Sequence, residues 1–379
     1  MLAYYEPEEA GFAPERLQRL YRTLDEAAAN GTIPGAAALV ARGSKAVAPF
    51  AVGRQYPEKP EPAISVDSIF LVASVTKPVV AAAVMLLVEQ GKLLLSDRVA
   101  DHLPEFGNRG KEDVRVHHLL THTSGLPDML PENVELRRQH APLSEFVRRI
   151  FDLELDFAPG TRVQYQSTGI ALLGEIVERI SGMALPDFLR QKFFIPLRMQ
   201  DTSLGVGELD QSRIVHVHLP EDMHGVDWGW NHPYWWNFGA PWGGMFTTVS
   251  DYFRFCQMFL NQGKWEGNSI LSPATVNAMI GDQSTAIVRA FDPDRSGMVW
   301  GQTWGLGWTL PGHRVPDGGR AFFGDLSSPV TFGHGGATGT VVWVDPVPEV
   351  VCILFTNEPL ALRNGLLGRC SNLVAAAAL

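Results

Sequence analysis

The stretch from Ser74 to Gln90 constrains this chain more than any other. It reads Ser-Val-Thr-Lys-Pro-Val-Val-Ala-Ala-Ala-Val-Met-Leu-Leu-Val-Glu-Gln, with Gly91 as its stop. Apolar residues fall on nearly every face of a helix, and Pro78 is tolerable only in the first turn. Such a helix is buried. Its wholly apolar run, Pro78 to Val88, is too short to cross a bilayer, so it needs a protein interior around it. The chain's 379 residues, at roughly 100 to 200 per domain, allow two or three domains and ample interior.

Composition narrows the class further. Charged residues make up 19% of the chain, below the roughly 25% of an average soluble domain, which excludes charge-driven disorder. The net charge of −10 repels phosphate backbones and anionic lipid, and no local basic patch offsets it, so neither nucleic acid nor a membrane is expected as a partner. The 37 glycines and 26 prolines predict long ordered loops of the kind that carry sites. Cys256, Cys352 and Cys370 are odd in number, widely spaced and flanked by apolar residues. They read as small buried hydrophobes, without a disulfide or metal framework. Met1 to Glu9 has no Lys or Arg and no long apolar stretch, so the expected location is the cytoplasm.

Around the apolar helix the pattern is mixed. Pro14 to Asn30 has helical spacing of Leu17, Leu20, Leu24, Ala27 and Ala28. Gly35 to Ala41 and Ala46 to Val52 read as a hairpin joined by Arg42-Gly43-Ser44-Lys45. A second helix is predicted from about Gly169 to Ser181, closed by Gly182. Helices and Pro/Gly loops dominate from residue 91 to 300. Thr331 to Gly333, Gly339 to Asp345 and Val350 to Thr356 then look like strands, followed by a helix from Leu360 to the end. Strands at both chain ends with helices between them predict an α/β fold of the α+β kind: one sheet built from both termini, with a helical region inserted.

Three segments carry residues suited to chemistry. Ser74 and Lys77 lie three apart at a helix start, where they share a face and their side chains can meet. A buried lysine kept neutral can take the serine proton, and the helix N-terminus favours negative charge on the serine oxygen. Tyr165 and Ser167, two apart in an extended loop, point the same way. His334 lies at a strand end among Gly333, Gly335 and Gly336, where a ligand can approach the backbone.

The order and company of these segments resemble the serine β-lactamase-like family, which includes class C β-lactamases, penicillin-binding DD-peptidases, D-aminopeptidases and family VIII carboxylesterases. Ser74 to Lys77 matches Ser-x-x-Lys, Tyr165 to Ser167 matches Tyr-x-Ser, and His334 to Gly336 matches a His-x-Gly relative of Lys-Thr-Gly. The stretches His118 to Pro127, Leu172 to Gly182 and Gly243 to Asp251 are also family-like. The resemblance implies a mostly antiparallel sheet flanked by helices, formed by residues 1–90 and 300–379, and a mainly helical domain over residues 91–299, with the site between them. It further implies Ser74 as nucleophile, Lys77 and Tyr165 sharing the proton transfers, Ser167 holding Lys77 by a hydrogen bond, and the N–H groups of Ser74 and Ala337 as an oxyanion hole. Gly335 and Gly336 join His334 as substrate-binding positions, and no cofactor or metal is implied.

Two departures direct the functional expectation. Ser167 and His334 stand where drug-hydrolysing members keep Asn and Lys. A neutral imidazole suits uncharged esters or amides, whereas a fixed lysine charge suits carboxylate-bearing antibiotics. The pattern is nearest family VIII, which implies a carboxylesterase on short-chain esters of small molecules. The alternatives are a D-stereospecific aminopeptidase or amidase, a weak β-lactamase, and a ligand-sensing protein slow to deacylate. A metal hydrolase fits less well: His118 and His122 lie four apart, yet Leu119 stands where His-Glu-x-x-His has its glutamate, and His216, His218 and His224 form only a loose cluster. No Gly-x-Ser-x-Gly elbow is present, which excludes the α/β-hydrolase fold. The aromatic run with Trp228, Trp230, Trp235, Trp236 and Trp242 reads either as core or as a pocket wall, in which case Trp235 and Trp242 are substrate-binding candidates.

Overall fold

Strands Gly35–Arg42, Thr340–Asp345 and Val350–Thr356 are buried almost throughout, as in a sheet covered on both faces. The computed structural model describes residues 2–291, 303–311 and 322–379. In it these strands form the centre of one large sheet, whose order runs Tyr4–Tyr5, Lys45–Val47, Gly35–Arg42, Val350–Thr356, Thr340–Asp345, Phe332–Gly336, Thr309–Leu310 and Thr303–Trp304. Every pairing along this path is antiparallel except that of Tyr4–Tyr5 with Lys45–Val47. The expected hairpin is broken: Gly35–Arg42 pairs first with Lys45–Val47 and then with Phe50–Gly53. Pro49 lies between the two short strands and has no N–H for a continuous ladder.

The period of two along each strand divides the interior. Ala36, Ala38, Val40, Val341, Trp343, Cys352 and Leu354 face helices Pro14–Ala29 and Leu366–Ala377. Ala37, Leu39, Ala41, Val342, Val344, Ile353 and Phe355 join the larger core on the other side. The last helix starts later than expected. Pro359–Leu362 is a separate 3₁₀ turn, and Gly365 at φ 77 breaks the chain before Leu366. The three cysteines are free and buried.

The larger core surrounds helix Lys77–Glu89, in which every residue from Lys77 to Leu87 is buried. It packs against helices Thr168–Ser181 and Pro273–Ile280. The region after residue 90 is mainly helical but also contributes to a small four-stranded sheet, Ser203–Leu204, Met245–Thr247, Ile69–Leu71 and Ile214–Val215. The fold is thus α/β, with sheets flanked by helices; the boundary expected at residues 299 and 300 lies outside the described residues. Among the described residues no helix is long and apolar enough to cross a membrane.

Candidate active site

A 3₁₀ turn, Ala73–Thr76, leads into the buried helix and carries Ser74. Several elements hold this turn. Val72 donates its N–H to the Met245 carbonyl at 3.0 Å, and the Thr338 and Thr340 hydroxyls donate to the carbonyls of Leu71 and Val72 at 2.7 and 3.0 Å. On the far side the Tyr252 hydroxyl donates to the Val75 carbonyl at 2.8 Å. Gly336 brings strand Phe332–Gly336 hard against the turn, since a Cβ there would come within 2.2 Å of the Val72 oxygen. Ala73 has φ 45, a left-handed conformation that costs a non-glycine residue about 1–3 kcal/mol and persists only where its surroundings over-determine it.

Lys77 Nζ donates to Ser74 Oγ and to the Trp242 carbonyl, each at 2.9 Å. Burial lowers its pKa from 10.5 to about 7, against the opposing charge of Asp128. Near neutral pH a large fraction of this amine is uncharged and can accept the serine proton. Tyr165 lies beside the pair, its ring centroid 4.7 Å from Lys77 Nζ. Burial pushes its phenol well above 10, and a hydrogen bond with Ser74 only partly offsets this. The resting tyrosine is therefore a proton donor.

Ser74, Tyr165, His334, Gly335 and Ala337 line a cavity of about 340 Å³. Ser74 belongs to the first turn of its helical segment, where an N–H has no intrahelical acceptor. No described residue outside the strand ladders accepts the Ala337 N–H. Both can therefore face an oxyanion. His334 Nδ1–H donates to the Gly335 carbonyl at 2.8 Å, which leaves Nε2 as an acceptor with no partner among the described residues. Burial first and the Lys77 charge second lower its pKa to about 3, so the ring is neutral.

Three expectations need correction. Ser167 does not hold Lys77, whose place is fixed by the Trp242 carbonyl. The loop does not stay extended through residue 167: Ser167 has φ −97 and ψ −29 at the start of helix Thr168–Ser181. Ser167 lines a separate small space with Met129, Phe146 and Trp242 and is not part of the Ser74 cavity lining. Trp235 is 2% exposed and stacks on Phe238 at 5.4 Å, under the Arg137 guanidinium. It is core. Trp242 also packs its ring inward, against Phe146 and Phe238, and it serves the site through its carbonyl.

The cavity wall is instead Trp230, Trp304, Phe322, Leu360 and Leu362, with Arg363 as its one permanently charged side chain among the described residues. No local spacing joins these positions to Ser74. His122, weighed in sequence only as a metal ligand, lies beside the site instead. It is 1% exposed at φ 59, accepts the Gln166 N–H on Nδ1 at 3.2 Å and lies 4.8 Å from the Tyr165 ring and 4.2 Å from Trp304. Its positive φ has no signal in sequence. His118 takes the Arg115 N–H at 3.1 Å, so the two histidines serve separate backbone groups. Among the described residues no three His, Cys, Asp or Glu side chains are grouped to hold a metal.

Comparison with known proteins identifies the family. The family model described as "Beta-lactamase" matches residues 20–366. The chain belongs to the beta-lactamase family. Penicillin-binding protein 4 of Amycolatopsis lactamdurans is 33% identical over 309 residues, covering 79% of this chain and 74% of that protein. A putative D-alanyl-D-alanine carboxypeptidase of Escherichia coli K12 is 26% identical over 390 residues, covering 93% and 85%. Among solved structures, EstCE1, described as a hydrolase with promiscuous acyltransferase activity, superposes with a TM-score of 0.75 at 22% identity over 96% of this chain and 98% of its own. A penicillin-binding protein homologue from Caulobacter crescentus gives 0.74 at 21% identity, covering 96% and 99%. This member of the beta-lactamase family thus has a penicillin-binding protein and a putative carboxypeptidase among its relatives in sequence, and shares its fold with a hydrolase and a penicillin-binding protein homologue.

Proposed function

We propose that this beta-lactamase-family protein is a carboxylesterase that hydrolyses short-chain esters of uncharged acids through an acyl-enzyme on Ser74. The observation that carries the reading is the 2.9 Å contact between Ser74 Oγ and the buried Lys77 amine, at the mouth of a cavity walled by Trp230, Trp304, Phe322, Leu360 and Leu362. As Oγ bonds to the ester carbonyl carbon, the serine proton passes to Lys77 Nζ and the Ser74 and Ala337 N–H groups receive the oxyanion. Collapse breaks the bond to the alcohol oxygen, which takes a proton from the Tyr165 phenol, and Lys77 returns its proton to Tyr165. Water then attacks the acyl carbon as one of its protons passes to Lys77 or Tyr165, and that proton returns to Ser74 Oγ as the bond to the acyl carbon breaks and the acid leaves. No cofactor enters these steps, and the partner is a small-molecule ester or amide. We propose the cytoplasm as its compartment, which three free, buried cysteines suit.

Arg363 favours a second reading. A permanent cation on the cavity lining suits a substrate carboxylate, as in a D-amino-acid peptide or a β-lactam. Measuring kcat/KM for p-nitrophenyl butyrate, a D-alanine p-nitroanilide and nitrocefin separates the readings. The ester leads if the first reading holds; a lead for either of the others replaces it with peptidase or antibiotic hydrolysis. Acylation without turnover of any of them makes the protein a slow-deacylating ligand sensor.

A further inference from the structure

Two loop segments supply much of the cavity wall. Trp230 comes from the stretch after strand Ile214–Val215, whereas Leu360, Leu362 and Arg363 come from the segment after strand Val350–Thr356. A hydrogen bond joins the segments: His218 Nδ1 lies 2.6 Å from Glu358 Oε2, with the carboxylate side chain 8% exposed. The other oxygen, Oε1, accepts the Leu360 N–H at 3.0 Å and so starts the 3₁₀ turn Pro359–Leu362 that forms the wall.

The surrounding hydrogen bonds transmit this contact to both walls. The His218 N–H donates to the Asn357 carbonyl at 2.7 Å, and Asn357 Nδ2 donates to the His216 carbonyl at 3.0 Å. Asn231, next to Trp230, bonds both backbone groups of Val217 at 2.8 Å. None of His218, Glu358, Asn357 or Asn231 lines the cavity that Ser74 faces. A buried carboxylate with two donors holds its partners in one geometry, because losing either donor leaves charge uncompensated.

We propose that His218 and Glu358 form a clasp that fixes the spacing between the Trp230 wall and the Leu360–Leu362 wall, and thereby limits the length of the aliphatic acyl group the cavity admits. This rests on the cavity being an acyl pocket. Glu358→Gln separates the clasp from the mere presence of a polar residue: with its single oxygen on the Leu360 N–H, the amide turns an NH2 group toward His218 Nδ1 in place of a carboxylate oxygen.

The test reads the rate at which Ser74 is labelled by a short-chain and an octyl fluorophosphonate, each losing fluoride as the serine oxygen bonds to phosphorus. In Glu358→Gln the octyl-to-short rate ratio rises about tenfold, the discrimination one methylene gives in a well-fitted apolar pocket. His218→Gln gives the same shift, and the double variant adds nothing further, as expected of two groups in one interaction. The His218 side chain is 50% exposed, so its variant carries the test if Glu358→Gln does not fold. An unchanged ratio, an equal slowing of both probes, or additive single effects overturns the clasp. A wild type that is labelled at Ser74 but turns over only peptides or β-lactams defeats the esterase reading instead, and the labelling ratio still decides the clasp.

Discussion

Ser74 and the wall it faces are built in opposite ways. The serine turn is held by hydrogen bonds with Met245, Tyr252, Thr338 and Thr340 and runs into a helix with no exposed face from Lys77 to Leu87. The wall is assembled from side chains far apart in the chain, from Trp230 to Leu362, much of it on loops. Packing in the core over-determines the position of the reacting groups, and the same contacts hold the fold together. The wall can change without disturbing them, as expected where one framework carries different functions.

If chemistry belongs to the core side and selectivity to the wall, the largest losses must come from the core side and be blind to substrate. Ser74→Ala should lower kcat by about 10⁴-fold or more on every substrate turned over, in line with removal of other serine nucleophiles. Mass mapping of the fluorophosphonate adduct should place it on Ser74. Labelling elsewhere, or activity retained in the variant, breaks the comparison at its root. Tyr165→Phe comes next. It keeps the ring packed against His122 and Trp304 and removes only the hydroxyl, so kcat should fall about 10²-fold, the size of an acid–base contribution. The melting temperature should barely change, and an unaltered kcat would make Tyr165 a packing residue.

The core side was also the more legible in sequence. Ser74 and Lys77 are legible because helical spacing is local, and Gly35–Arg42 and Val350–Thr356 are legible as strands because short apolar runs bounded by turn residues are local too. Ser167 was misassigned because alternation was extended across a helix start, where the backbone turns to φ −97 and ψ −29. Trp235 and Trp242 were candidates because they are aromatic and close in sequence to one another. Trp304 took that place through the pairing of Thr303–Trp304 with Thr309–Leu310 and of that strand with Phe332–Gly336. Such a tertiary placement leaves no periodic trace in the chain. The clasp was illegible for the same reason, since His218 and Glu358 meet across 140 residues.

A smaller effect sharpens the comparison by pH. With Lys77 lowered to about 7 by burial, kcat/KM should rise with pH through that value, because the neutral amine is the active form. Half the enzyme is competent at the midpoint and about one part in a hundred two pH units below it, so activity should drop about 50-fold between pH 7 and pH 5. The two imidazoles nearest Lys77 do not confuse this limb. His334 is held neutral down to about 3 and His122 well below its usual value, both chiefly by burial. A limb near pH 10 would mean that burial does not lower Lys77 in the working enzyme, and activity with no ascending limb between pH 5 and 10 would mean that another group takes the serine proton. Asp128→Asn removes a charge that favours protonated Lys77 and should move the limb toward lower pH.

The smallest effect should be one of preference, and it lies where the two regions meet, at His334. This ring lines the cavity, yet the charge that acts on it is the core-side Lys77. A neutral imidazole offers its unpaired Nε2 as a hydrogen-bond acceptor, and supplies no fixed cation for a carboxylate. A charge-assisted hydrogen bond contributes about 1.5 to 3 kcal/mol, so His334→Lys should raise kcat/KM for nitrocefin relative to p-nitrophenyl butyrate by about tenfold. The new amine is also a like charge beside Lys77, which favours neutral Lys77 and should move the acid limb to lower pH. The pH shift without the change in preference would assign His334 to the core side, as a group that tunes the base. The change in preference without the shift would assign it to the wall. A wild type that already prefers nitrocefin would show that the wall selects charged substrates without a lysine at 334, leaving Arg363 as the cation that does so.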